Sequence, residues 1–134
     1  MIYALDTNVL SERMKKDPSP AVEDFLRRLP AENVRVPAVA LAEIAQGVEN
    51  NPTPALRRFL AEVLHFVVAP FGEAVALEWG RLTNQGLVRG LPMTTRDAMI
   101  AATAKAHGWV VATRNEGDFR PLGVKVFNPW RERL

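Results

Sequence analysis

Cysteine is absent from the 134 residues. Its absence excludes disulfide staples, thiol catalysis and thiolate metal ligands, and it fits a reducing cytoplasm. No apolar run approaches the roughly 18 residues of a membrane span. A basic region ahead of the first apolar run is also missing, so a signal peptide is not expected. Charge of one sign is scarce too. Lys and Arg exceed Asp and Glu by a net of only +2, despite a sequence pI of about 9.4. Without a polycationic tail, any nucleic-acid surface has to be a local patch. Only two histidines occur. His65 and His107 both fall at the ends of helical patterns, where a structural role accounts for them. Internal repeats and low-complexity stretches are likewise absent.

What is present is a hydrophobic fraction of 48%, enough for a substantial core in one domain, taken as residues 1–134. Short apolar runs read as strands at Ile2–Leu5, Val34–Val36, Phe66–Ala69, Trp109–Ala112 and Lys125–Phe127. Helical spacing lies between them. One helix opens at Pro20 with Val22, Phe25, Leu26 and Leu29. A second covers Ala38–Asn50, and a third opens at Pro54. A fourth is predicted over Phe71–Gln85 with Gly86 ending it. The last runs from Arg96 to His107 and stops at Gly108. Strands alternating with helices predict an α/β fold: three α/β/α layers around a mainly parallel sheet.

Four acidic residues stand at boundaries in this pattern. Asp6 ends the first apolar run. Glu43 lies inside the Ala38–Asn50 helix. Asp97 is in the first turn of the Arg96–His107 helix, and Asp118 lies just past the Trp109–Ala112 run. Each has an ordinary explanation: an N-cap for Asp6, a solvated face for Glu43, a first-turn charge for Asp97, a turn for Asp118. Glu116 competes with Asp118 for any role in Thr113–Phe119. The joint pattern is harder to explain that way, because in a parallel α/β sheet strand ends and following helix starts share one rim. Carboxylates gathered there repel one another unless a cation lies between them. An all-oxygen set suits Mg²⁺ or Mn²⁺, since zinc usually brings His or Cys. Thr7 and Asn8 beside Asp6, and Thr113 and Asn115 before Asp118, can orient carboxylates or water. With no histidine pair, metal-assisted attack of water on a phosphodiester is the better match than cyclic-phosphate chemistry.

The segments Asp6-Thr-Asn-Val-Leu-Ser-Glu12, Ala42-Glu43-Ile44, Thr95-Arg-Asp97-Ala-Met-Ile-Ala-Ala102 and Thr113-Arg-Asn-Glu-Gly-Asp-Phe119 resemble the PIN-domain ribonucleases. The branch they are most similar to is the VapC-type toxins of prokaryotic toxin–antitoxin pairs. The resemblance covers essentially the whole chain. It implies a Mg²⁺- or Mn²⁺-dependent endoribonuclease with Asp6, Glu43, Asp97 and Asp118 as catalytic and metal-holding residues, supported by Thr7, Asn8, Thr113 and Asn115. It also implies a structured RNA substrate such as tRNA or rRNA, a cognate antitoxin that binds operator DNA, and a homodimer. Arg96 and Arg114 flank the expected site and are the candidate phosphate contacts. A haloacid-dehalogenase-type phosphatase would need a second Asp where Asn8 stands. The remaining alternative is a catalytically silent PIN-fold module that acts with a DNA-binding partner.

Overall fold

A computed structural model describes residues 1–134. Five strands form one sheet: β1 (Tyr3–Leu5), β2 (Val34–Pro37), β3 (Val67–Ala69), β4 (Val110–Ala112) and β5 (Lys125–Phe127). Every pairing is parallel and the order is β3-β2-β1-β4-β5. The chain winds outward from β1 through β2 to β3. It then crosses back to place β4 on the other side of β1. The neighbours β1 and β4 are therefore where the winding direction reverses, with Tyr3 opposite Val110 and Leu5 opposite Ala112.

Alternation along the strands separates two cores. Tyr3, Leu5, Val34, Val36, Val110 and Ala112 face one side, which is covered by α1 (Thr7–Ser11), α2 (Pro20–Arg28), α3 (Ala38–Asn50) and α4 (Pro54–Val63). Ala4 and Val111 face the other, beneath α5 (Glu73–Arg89), α6 (Thr95–His107) and α7 (Glu116–Phe119). Parallel strands buried on both faces need apolar residues at every position, hence the short unbroken runs in the sequence. No helix is long and apolar enough to cross a membrane.

Local chemistry sets the helix ends. Ser19 and Thr53 accept hydrogen bonds from the backbone N–H groups of Val22 and Leu56, and a proline follows each cap. The α6 helix carries Ala98, Ala101, Ala102 and Ala104 as buried positions, and small side chains let it lie close to the sheet. It ends at Gly108, whose φ of 70° is the left-handed conformation a glycine tolerates best.

One helix end differs from the sequence expectation. Gly86 does not stop α5, which continues to Arg89 and ends at Gly90 with φ 66°. Gly86 lies inside the helix against the end of the Met93 side chain, which a Cβ at this position would displace. Glycine punctuates this chain at two nearby positions for different reasons, and only the second is a cap.

Phe119 is fully buried in the core beneath α6 and directly follows Asp118. Phe119→Ala is expected to cost about 3–5 kcal/mol of stability through lost burial and the cavity left behind. Urea unfolding of the two proteins checks this.

Candidate functional site

In a doubly wound parallel sheet, the loops at the carboxyl ends of the strands part where the strand order reverses, and ligands bind in that crevice. Here the crevice lies beyond Leu5 and Ala112. Asp6 and Thr113, the residues that follow them, form its floor. Asp6 has no exposed surface. An ionised carboxylate with no water around it has to be satisfied by the protein. The Thr7 backbone N–H donates to Asp6 Oδ1 at 2.7 Å, which makes Asp6 the N-cap of α1. The hydroxyl of Thr113, itself fully buried, donates to Asp6 Oδ2 at 2.7 Å. The Thr113 hydroxyl in turn accepts from the Asn115 N–H at 3.0 Å, so one side chain orients both the carboxylate and the loop after β4. The N-cap reading of Asp6 and its site reading thus describe the same residue.

Two further acids come from helices on opposite faces of the sheet. Glu43, near the middle of α3, accepts from the Thr7 hydroxyl at 3.0 Å. Asp97 is buried in the first turn of α6, where Thr94 caps the helix by accepting from the Asp97 N–H at 3.0 Å. Burial, with Asp6 adding to it, holds the Asp97 carboxyl above the usual aspartate range, against the opposing pull of Arg96 and Thr94.

Arg96 joins all three. Its guanidinium donates through Nη2 to Asp6 Oδ1, through Nε to Glu43 Oε1, and through Nη1 to Asp97 Oδ1 at 2.6 Å. Burial works to lower its pKa, but Asp6 and Glu43 together hold it above its already high ordinary value. Arg96 was expected at the rim of the site as a phosphate contact, but it lies inside the acid cluster. The three carboxylates are spread around a planar cation, and no three acidic or histidine side chains converge on one ion-sized point.

Asp118 is apart from this constellation. It is exposed, sits in the short helix α7, and does not share the Arg96 guanidinium with the other acids. Its rival Glu116 is held by Arg120 at 2.8 Å, the Asn128 amide at 2.8 Å and Arg131 at 3.2 Å, which keep its carboxyl below the usual glutamate range. Glu116 therefore ties the segment after β5 to the loop that carries Asp118, while Asp118 is left free at the rim. The Asn8 side-chain oxygen accepts from the Arg114 backbone N–H at 3.4 Å. The Arg114 guanidinium lies over the Trp130 ring, 5.1 Å from its centre.

The sequence reading missed Thr94 and the Glu116–Asn128 clamp. The first had a local signal, a threonine three residues before an acid at a helix start. The second had none, because its partners come from a later part of the chain.

Residues 3–124 match the PIN domain family, and the chain belongs to that family. Its relatives include Toxin FitB of Neisseria gonorrhoeae, 34% identical with 96% of this chain and 98% of that protein covered. Another is the VapC ribonuclease Y4jK of Sinorhizobium fredii, also 34% identical, at the same coverage of both. Among solved structures, the FitAcB crystal structure from N. gonorrhoeae superposes with a TM-score of 0.86 at 35% identity, over 98% of this chain and 100% of that one. VapBC2 of Rickettsia felis, solved bound to a DNA fragment from its promoter, gives 0.84 at 25% identity over 96% of this chain and 98% of that one. Within the PIN domains, the chain lies among VapC-type ribonucleases and toxins.

The raised carboxyl of Asp97 has a measurable consequence. An acid whose folded-state pKa lies above its unfolded value binds more protons folded than unfolded, so its contribution to stability is greatest in acid and is lost as pH rises through the folded value. At neutral pH the Asp97 charge opposes folding, and Asp97→Asn removes that charge at similar volume. In EDTA at pH 7 the variant is expected to melt above wild type. The gap should close below about pH 4, where the aspartate takes up its proton. Thermal unfolding across pH measures both.

Proposed function

We propose that this chain is a cytoplasmic, divalent-metal-dependent endoribonuclease, the toxin of a toxin–antitoxin pair, hydrolysing phosphodiester bonds of structured RNA such as tRNA or rRNA. The observation that carries this is the gathering of Asp6, Glu43 and Asp97 around the Arg96 guanidinium at the reversal point of a PIN-family sheet. The donor set suits Mg²⁺ or Mn²⁺. It is all oxygen, it contains neither imidazole nor thiolate, and it already surrounds a positive charge.

Asp6, Asp97 and Glu43 are the residues that would hold the ion, and Asp118 at the rim is the fourth acid assigned to the site. When bound, a divalent cation supplies activation of water and neutralises charge building on the scissile phosphate. The chain's own residues supply the rest. Thr7 and Thr113 fix the orientations of Glu43 and Asp6 through their hydroxyls. Thr94 holds the first turn of α6, and so the position of Asp97. Asn8 and Asn115 brace the loop after β4. Arg114, exposed at the mouth, can pair with a phosphate beside the cleaved one. Residues 1–134 act as one nuclease domain, which pairs as a homodimer and is restrained by a cognate antitoxin. Contact with DNA is made only through that antitoxin. The FitAcB and VapBC2 neighbours support the partner reading.

RNA incubated with the purified chain is expected to be cut with Mg²⁺ or Mn²⁺ and left intact in EDTA, with 3′-hydroxyl and 5′-phosphate ends. Cleavage undiminished in EDTA, or cyclic phosphate ends, would overturn the mechanism. Absence of cleavage on any RNA, with antitoxin and DNA binding intact, would favour the silent binding module.

The same assay separates Asp118 from Glu116. Asp118→Asn should reduce cleavage strongly while leaving stability unchanged, because the Asp118 carboxylate is exposed and makes no hydrogen bond or ion pair. Glu116→Gln should keep most of the cleavage but lower the melting temperature, because it weakens the clamp on Arg120, Arg131 and Asn128. The reverse outcome would place the fourth acid at Glu116.

A further inference from the structure

Arg96 breaks a local rule. A positive side chain in the first turn of a helix faces the positive end of the macrodipole, which is unfavourable by a few tenths of a kcal/mol up to about 1 kcal/mol. Arg96 sits in the first turn of α6, and three acids from β1, α3 and α6 hold it there. The guanidinium uses three separate N–H donors on three carboxylates, a fork that only arginine can supply. Arginine also does not lose its proton in proteins, so the contact can end only by rotation of the side chain.

The oxygens it occupies are those the proposed ion needs. Asp6 Oδ1 and Asp97 Oδ1 each accept from Arg96. Asp6 Oδ2 is committed to Thr113. A divalent cation among these acids would compete with the Arg96 guanidinium for Asp6 and Asp97, because two positive groups in so small a space repel each other. The guanidinium offsets one carboxylate charge and a divalent ion offsets two, so the exchange can be driven by the ion. The Arg96 side chain retains 30% exposure and has an open direction in which to leave.

We propose that Arg96 is an internal latch on the metal site: loading of a divalent cation is an exchange that expels the guanidinium, and the expelled guanidinium is captured by an RNA phosphate, so that RNA and metal bind cooperatively. This rests on the metal-dependent reading above and adds to it a coupling between the two ligands. In the latched state Arg96 also neutralises part of the acid cluster, so the folded chain tolerates the absence of metal. Whatever holds Arg96 outside favours metal, and by reciprocity metal favours the phosphate that holds it. If the latch is closed in all but about a tenth of molecules, the apparent metal affinity is reduced about tenfold.

The test is Mn²⁺ binding to the full chain, read from the electron paramagnetic resonance of free Mn²⁺, with and without an RNA oligonucleotide in which every phosphodiester is replaced by a methylene-bridged phosphonate, which keeps the negative charge and resists hydrolysis. Wild type should bind Mn²⁺ more tightly when the oligonucleotide is present. Arg96→Gln should bind Mn²⁺ about tenfold more tightly than wild type without RNA, and the oligonucleotide should no longer improve it. Its melting temperature in EDTA should fall and should recover when Mn²⁺ is added. Arg96→Lys keeps one charge but not the fork, and it should tighten Mn²⁺ binding to an intermediate degree. It serves as the second variant if Arg96→Gln does not fold. Equal or weaker Mn²⁺ binding by the variants would overturn the latch while leaving the metal reading intact. Failure of wild type and both variants to bind Mn²⁺ at all would overturn the metal reading, and the latch with it.

Discussion

Asp6 ends the central strand with a carboxylate that has no exposed surface, and most of the molecule's arrangement follows from having to satisfy it. Removing an ionised carboxylate from water costs several kcal/mol unless hydrogen bonds and an opposite charge replace the solvent. The replacements come from three directions: the first N–H of α1, the hydroxyl after β4, and the guanidinium at the start of α6. Each requires a part of the fold to be where it is. The β1–β4 pairing places Thr113 beside Asp6, and the close approach of the alanine-rich α6 brings Arg96 within reach.

The same constraint explains why the site is at this edge of the sheet. Only between β1 and β4 do two strand ends point into a crevice flanked by helices from both layers. Glu43 enters from α3 on one side and Asp97 from α6 on the other. The cluster therefore spans all three layers, and the acids are held in place by packing rather than by a flexible loop. Asp118 differs because its helix has four residues and its carboxylate is exposed, with no hydrogen bond or ion pair to hold it. Its loop is fixed by Phe119 below and by the Glu116 clamp at the side.

Much of this could be read from the chain itself. The five short apolar runs became five strands, each within a residue of its expected limits; the central β1 and β4 are buried at every position and leave a continuous apolar mark, while the edge strands β3 and β5 are partly exposed. The acids were visible because each interrupts or borders such a pattern. What could not be read was which groups would meet. Arg96 contacts an acid 90 residues away and another 53 residues away, and nothing local distinguishes an arginine that turns inward from one that faces solvent. Its neighbour Asp97 was legible as a first-turn charge, but the conflict between Arg96 and the helix dipole is explained only by the partners. Gly86 was misread as a helix end because nothing local tells which of two nearby glycines adopts the left-handed cap, and it is Gly90 that does. Glu116 and Asp118 differ in role because of Asn128 and Arg131, which the Thr113–Phe119 motif does not contain.

The claim that these carboxylates are a divalent-metal site is tested most directly by anomalous scattering from crystals soaked in Mn²⁺. The account predicts one strong peak about 2 Å from oxygens of both Asp6 and Asp97, with the Arg96 guanidinium withdrawn from them. A map without a peak in the crevice, and with Arg96 still bonded to Asp6, Glu43 and Asp97 at saturating Mn²⁺, would contradict it.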